Sequence, residues 1–166
     1  LTLQKRVSVF NKIGFQRKDN RLANIALRYV YEDRWGGDMR WNKSFRGGDS
    51  IYGESIYTSR VEIIGNYQLP TKEKLLFSYS FNNHMQGSFY GTTSYNASQQ
   101  VGFAQLTWDK SKGAHEWLAG AVVKYTGYDD NTPATQSSSS LKNKPDRNTV
   151  PGVFLQDEWI LSKQQR

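Results

Sequence analysis

Apolar and polar side chains alternate with period two along most of this chain. The clearest case is RVEIIGNYQLPTKEKLLFSYSFNNH at 60–84, where a short polar turn separates two alternating segments. This period places successive side chains on opposite faces of a strand, and no segment shows the helical period of 3.6. The pattern therefore predicts an all-β fold, an antiparallel up-and-down meander.

About seven strands follow from this reading. In the fifth, Val101 and Phe103 fall out of phase with the apolar residues that follow, a defect that a β-bulge would repair. The last strand, VPGVFLQDEW, mixes apolar groups with carboxylates. The predicted strands are 7–16, 22–35, 56–69, 75–84, 99–110, 117–128 and 150–159.

The predicted connections alternate strictly between short and long. Turns near positions 18, 72 and 112 are tight, whereas 36–55, 84–98 and 129–150 read as long irregular loops. Short turns at one end and long loops at the other are typical of transmembrane β-barrels. Several strands also exceed the nine to eleven residues, roughly, that a tilted strand needs to cross the hydrocarbon layer.

The composition agrees with a sheet that has one apolar and one wet face. Only 37% of the residues are hydrophobic, yet 14% are aromatic, with ten Tyr, eight Phe and five Trp. The net charge of +7 comes mostly from basic residues at turns, not from one stripe. A soluble all-β module that binds carbohydrate or nucleic acid is the alternative, while a small closed porin-like barrel would need an even strand count.

Several classes of protein do not fit the sequence. With no Cys, neither a disulfide scaffold nor a thiolate metal site is available. No run of about eighteen apolar residues predicts a transmembrane helix. The chain opens on LTLQKRVSV, without an initiator Met or a leader, and both ends are expected to be cuts from something longer.

No catalytic constellation is visible, and we predict neither an enzyme nor a cofactor. His84 and His115 have no acidic neighbour at useful spacing for a metal or a nucleophilic site. WGGD at 35–38 and RGGD at 46–49 lack the spacing and the following helix of a phosphate loop. Carboxylates such as Glu62 are expected to form cross-strand ion pairs.

The first long loop is the best candidate for ligand contact. Indole and guanidinium groups on an outward loop can hold an anionic or planar complex. The predicted ligand-binding residues, beside Phe45 and Asp49 in the same loop, are Arg34, Trp35, Asp38, Arg40, Trp41 and Arg46.

Four stretches resemble TonB-dependent outer-membrane receptors: the segment at 60–84, WGGDMRW, FRGGDSIYGES and VPGVFLQDEW. The resemblance implies a bacterial outer-membrane location and active uptake of a metal–siderophore complex, cobalamin or a similar nutrient. It also implies a plug domain and TonB as partners in a full-length receptor. Residues 1–166 would be one part of the barrel wall, without the plug. Some cobalamin-receptor relatives bind Ca²⁺. In this chain the oxygen ligands for such an ion could come from Asp38, Asp49, Asp129 and Asp130.

The barrel hypothesis assigns each face of the sheet. The face toward outer-membrane lipid would carry Tyr57, Val61, Ile63, Tyr67, Phe77 and Tyr79, and the lumen face Arg28, Glu32, Arg60, Glu62 and Asn66. Asp157 shares parity with Leu155 and Trp159 on the lipid side, which is tolerable only near a rim. The isolated piece is expected to self-associate through its sheet edges.

Overall fold

The computed structural model describes residues 2–17, 19–136 and 143–160, which form one seven-stranded sheet. The strand order follows the chain and every neighbouring pair is antiparallel. The sheet is open, because β1 and β7 are its two edges. The strands are β1 (Thr2–Gly14), β2 (Ala23–Gly37), β3 (Gly53–Gln68), β4 (Lys74–Tyr90), β5 (Thr93–Lys112), β6 (His115–Asp130) and β7 (Asp146–Trp159).

The register sorts the side chains into two faces, because directly opposed residues of an antiparallel pair project to the same side. On the apolar face Leu27 is opposite Ile63, which is opposite Phe81. On the polar face Arg28 is opposite Glu62, which is opposite Asn82. The predicted alternation is confirmed: each predicted set of face residues lies on a single side of the sheet.

The sheet is a single layer with almost no core. The buried hydrophobic side chains among the described residues are Ala23, Ala26, Val30 and Trp41. On the apolar face Val7 is 56% exposed and Val153 is 86% exposed. Hydrogen bonds between strands hold the sheet together, and its largest apolar surface is left without a protein partner.

The connections lie at two ends, which we call the turn end and the loop end. The turn end holds residues 15–17, 19–22, 69–73 and 113–114, and the loop end holds 38–52, 91–92, 131–136 and 143–145. The predicted long loop at 84–98 is wrong. β4 and β5 continue through it and meet in a two-residue turn at Gly91, whose φ of +59° suits glycine at the first central position of a type II′ turn.

The predicted phase defect in β5 does not need a bulge. The register of β5 with both neighbours is continuous, from Thr93 opposite Tyr90 to Lys112 opposite His115. Val101 and Phe103 lie on the polar face, opposite Asn82 and Ser80 of β4. The polar face is therefore not uniformly hydrophilic, which is why the alternation is weak there.

Helical structure within the described ranges is limited to single 3₁₀ turns at Lys43–Phe45 and Pro133–Thr135. In this part of the chain no helix has the length and apolar character to cross a membrane.

Candidate functional site

The β2–β3 loop folds back over the loop end of the apolar face and closes around Asp33. Asp33 is 3% exposed, although it lies between Tyr31 and Trp35 on the apolar face of β2. Arg46 places Nη2 3.2 Å from one carboxylate oxygen, and Lys43 pairs with the other. Arg46 also donates from Nε to the Ser55 hydroxyl at 2.9 Å. Two loop cations thus compensate one buried carboxylate.

Two aromatic rings of the sheet hold the same cations. The Arg46 guanidinium lies 4.0 Å from the Tyr57 ring centroid, and Lys43 Nζ lies 4.4 Å from that of Trp35. The 3₁₀ turn begins at Asn42, whose side chain accepts a hydrogen bond from Ser44 N. This capped turn orients both cations toward the strands.

Trp41 anchors the start of the loop. Its ring covers Gly53, where an added Cβ would lie 2.3 Å from Trp41 Cδ1. Gly37 faces Gly53 across the strand pair with a φ of +145°, and a Cβ there would lie 2.6 Å from the Gly53 backbone. The two glycines let the chain approach closely enough to bury the indole.

The remaining predicted ligand residues are more open. Arg40 forms a salt bridge with Asp38 at 2.9 Å, and its hydrogen bonds hold the pKa of that exposed carboxyl well below its usual range. Arg34 and Trp35 line a groove of about 510 Å³ together with Tyr52 and Glu54. The Tyr52 hydroxyl donates to Glu54 at 2.9 Å, which raises the pKa of the phenol.

The structure therefore divides the six predicted ligand residues by role. Trp41 and Arg46 are occupied in folding the loop, Asp38 and Arg40 pair with each other on its surface, and Arg34 and Trp35 line the groove. Trp35 also holds Lys43 and so belongs to both groups. Ligand binding at these residues stays a prediction.

A wider groove, of about 530 Å³, opens on the apolar face near the loop end, and sequence reasoning missed it. Tyr31 and Tyr57 line it together with Met85 of β4, Ser98 of β5 and Asp129 of β6. These residues are far apart in sequence and become neighbours only through the register. No single segment carries a signal for the groove.

The loop after β6 is organised around Asp130. Its carboxylate accepts from the Thr132 hydroxyl at 2.7 Å, the Thr135 hydroxyl at 2.9 Å and the Tyr128 hydroxyl at 2.8 Å. These bonds, led by that from Thr132, lower the pKa of Asp130 to about 2. Asp130 thus acts as a local cap for this loop. Within the described ranges no group of three or more His, Asp or Glu side chains could hold a metal ion.

The polar face carries a network of ion pairs and hydrogen bonds across strands. Glu62 lies 3.0 Å from Arg60 and 3.6 Å from Arg28, and it accepts a hydrogen bond from Asn82 at 3.2 Å. Glu32 accepts a bond of 2.9 Å from Gln4 and lies 3.8 Å from Arg6. The expected cross-strand pairing of carboxylates with basic residues is confirmed.

Tryptophans and charged groups share the turn end of the apolar face. Trp108 donates its indole N–H to Glu73 at 3.3 Å, and Lys110 pairs with Glu73 at 2.8 Å. His115 Nδ1 lies 2.8 Å from Asp157, and its ring stacks on Trp159 with centroids 5.8 Å apart. Asp157 therefore lies near the turn end of the sheet. Its contact with His115 has no signal in the sequence, where the two residues are 42 positions apart.

Comparisons of the chain with protein-family models, with curated proteins and with solved structures found no match.

Proposed function

We propose that this chain is a section of the wall of an outer-membrane β-barrel of the TonB-dependent receptor type, which takes up a nutrient such as a metal–siderophore complex or cobalamin. The observation that carries the proposal is an exposed apolar band that crosses the sheet obliquely. A wall of tilted strands in a bilayer requires such an inclination.

The inclination of the band follows from the register. Arg28 of β2 and Thr126 of β6 lie at the same height on the sheet. They are connected by a row of directly opposed residues, one from each strand between them: Glu62, Asn82 and Val101. On the apolar face the apolar segment of β2 runs over 25–31, with its centre at 28, whereas that of β6 runs over 117–125, with its centre at 121. The centre moves by five residues, about 17 Å, across four strand spacings of about 19 Å. The resulting angle of about 40° matches the usual strand tilt of roughly 35–45° in membrane barrels.

The height of the band also suits a bilayer. From Trp117 to Tyr125 the β6 strand rises about 27 Å along its axis, or about 21 Å along the membrane normal at that tilt. The apolar belt of outer-membrane barrels is about 25 Å tall and ends in aromatic girdles. Trp108, Trp117 and Trp159 supply such a girdle at the turn end, where Lys110 lies beyond Trp108 toward the turn.

The polar face suits a water-filled lumen. Arg28, Arg60 and Glu62 form a network that would be costly against lipid, because charged groups in hydrocarbon must be desolvated. With water or a plug domain on that side, the same network stays solvated or finds further partners. The face assignment thus follows from comparing the two possible environments of each side.

The loop end would form the external entrance. At this end of β2, Arg34 and Trp35 line an open groove, and Arg46 of the β2–β3 loop pairs with Asp33 beside them. A guanidinium and an indole that line one groove can each contact an anionic or planar ligand. A plug domain and TonB would be required as partners for energised uptake.

The test uses single cysteines along β4, since the natural chain has none. The 166-residue chain is refolded in lipid bicelles, and each cysteine carries a spin label whose collisions with oxygen and with a water-soluble nickel complex are measured. The lipid-side set and the lumen-side set alternate residue by residue, so each label has its neighbour as a control. The lipid-side positions are Phe77, Tyr79 and Phe81, and the lumen-side positions are Ser78, Ser80 and Asn82.

We expect collisions with oxygen to relax the spin labels at the lipid-side positions preferentially. Collisions with the nickel complex should preferentially relax those at the lumen-side positions. If the two sets respond alike, or if the chain is a monodisperse folded protein in buffer without lipid or detergent, the wall proposal is overturned. A monodisperse folded protein in buffer alone would favour the soluble carbohydrate- or nucleic-acid-binding module.

A further inference from the structure

The wider groove on the apolar face begins where the apolar band ends. On β4 the continuous row of apolar side chains of this face ends at Phe81 and is followed by Asn83, and on β6 it ends at Tyr125. Beyond these residues the groove of about 530 Å³ opens between the tyrosines of β2 and β3 and Asp129 of β6. It therefore lies on the side that the wall proposal assigns to lipid, but outside the hydrocarbon layer.

The height of the groove can be compared with the thickness of a headgroup layer. Its lower end is at Tyr31, the last residue of the band on β2. Asp129 lies four residues beyond Tyr125, which is about 13 Å along the strand and about 10 Å along the membrane normal. Headgroups add roughly 5–8 Å to each side of a bilayer. The groove thus spans this layer and extends past it, as a headgroup larger than that of a phospholipid would require.

The walls of the groove combine apolar contact with hydrogen-bonding groups. Tyr31 and Met85 supply apolar surface, and Met85 is 53% exposed. The small residues Ser59, Gly87 and Ser98 leave the space between them open. Ligand clefts commonly measure about 300–1,000 Å³ and have mostly apolar walls with a few polar groups that orient the ligand. The wider groove has this composition.

The polar groups at the upper end of the groove include acceptors without a donor. Asp129 Oδ2 accepts from Asn143 Nδ2 at 2.7 Å, whereas Asp129 Oδ1 is shielded from water and has no hydrogen-bond partner among the described residues. The side-chain oxygen of Asn83, two residues from Met85 on the same face, is in the same state. An unpaired buried acceptor is destabilising. A ligand that brings a donor to Asp129 therefore gains a hydrogen bond that the free sheet lacks.

The charge of the groove selects among the headgroups of a membrane. The described residues that line it include Asp129 and Asp130 but no Lys or Arg. A phosphate would bring a like charge and only acceptor oxygens to this site, whereas a sugar hydroxyl both donates and accepts. An uncharged headgroup with many hydroxyl groups fits the groove, and an anionic one does not.

We propose that the wider groove binds the uncharged saccharide headgroup of a glycolipid in the surrounding membrane, an inference that rests on the wall proposal. The acyl chains lie on the apolar band below, and the sugar packs against Tyr31 and Met85. Its hydroxyl groups donate to Asp129 and exchange hydrogen bonds with Ser98. This site is separate from the groove beside Arg34 that the nutrient would use.

Native mass spectrometry tests the choice of headgroup. The 166-residue chain is refolded in detergent micelles that contain one of three lipids with the same acyl chains: digalactosyl diacylglycerol, phosphatidylglycerol or phosphatidylethanolamine. We expect adducts of the digalactosyl lipid to be several-fold more abundant than those of either phospholipid. Equal adducts of the three lipids would overturn the proposal. A preference for phosphatidylethanolamine would also overturn it, because the groove would then select an ammonium group.

Two glycine variants test the position of the site. Gly87→Leu fills the groove, and its Cβ would lie 3.3 Å from Asn96 Oδ1, a contact that a small rotation of the amide relieves. Gly102→Leu adds the same group to the band on the same face, where a Cβ would lie 3.8 Å from Tyr125 Cβ. The preference for the digalactosyl lipid should fall several-fold only for Gly87→Leu, with the β-sheet circular dichroism of both variants unchanged.

A second pair of variants tests the carboxylate. Asp129→Ala keeps the groove open and removes its unpaired acceptor, so the preference for the digalactosyl lipid should fall several-fold. Asp157→Ala removes a carboxylate from the turn end of the same face and should leave the preference as it is. A preference that survives both Gly87→Leu and Asp129→Ala would overturn the proposal.

Failure of this site can be told apart from failure of the wall proposal. Spin labels on β4 that alternate between lipid and water, together with equal adducts of the three lipids, would refute the headgroup site alone. Labels that respond alike would refute the wall, and the headgroup site with it.

Discussion

Arg46 shows how a residue that looks suited to a ligand can instead hold its own loop. Its guanidinium reaches Asp33, Ser55 and the Tyr57 ring, so both an edge and a face of the planar group have partners within the fold. Arg40, six residues earlier, has only Asp38, on an exposed surface. The sequence places both in one basic, aromatic loop and cannot separate them, because the partners of Arg46 come from the strands on either side of that loop.

We predict that Arg46→Ala lowers the free energy of unfolding by about 2–4 kcal/mol, because it leaves the buried Asp33 charge with Lys43 alone. The matched variant Arg40→Ala should change it by about 0.5 kcal/mol or less, as for an exposed pair. Denaturant unfolding in detergent, followed by tryptophan fluorescence, measures both. Equal losses for the two variants would mean that Asp33 is not the anchor of the loop.

At the scale of the elements, the hairpin of β4 and β5 is where sequence and structure differ most. The alternation ends near His84, yet the two strands stay paired to Tyr90 and Thr93. The period-two alternation of apolar and polar residues appears only where one face of the strand is apolar. Hydrogen bonding between the strands does not depend on the polarity of the side chains. Beyond the apolar band both faces are polar or aromatic, so the pattern is lost while the backbone pairing continues.

The turn of this hairpin depends on one glycine. We predict that Gly91→Ala lowers the free energy of unfolding by about 1–2 kcal/mol, because a φ of +59° is unfavourable for a residue with a Cβ. Gly14→Ala is the control, since a Cβ there meets nothing within 4 Å and the backbone is ordinary. Thermal unfolding, together with amide exchange at Tyr90 and Thr93, should show the loss only for Gly91→Ala.

At the scale of the whole molecule, a single sheet with an exposed apolar face lacks the second layer that folded domains usually have. Hydrogen bonds between strands satisfy the backbone, but Val153, Leu155 and their neighbours stay exposed. In the proposed barrel wall, outer-membrane lipid would cover this apolar face. The oblique course of the band sets how the sheet would sit in that medium.

We predict that Tyr79→Lys destabilises the lipid-embedded sheet by about 2–4 kcal/mol, because position 79 of β4 lies near the middle of the band. The adjacent variant Ser80→Lys carries the same charge on the polar face and should cost less than about 1 kcal/mol. Urea unfolding in lipid bilayers compares them. A larger loss for Ser80→Lys would reverse the assignment of the two faces.

The sequence by itself determined the class of the fold, the strand order and the composition of each face. These follow from local rules, because alternation and turn residues act over only a few positions of the chain. Only the tertiary structure decided the oblique band, the Asp33–Arg46 anchor and the His115–Asp157 pair. Each of these depends on the register between strands, which hydrogen bonds between residues distant in the chain set.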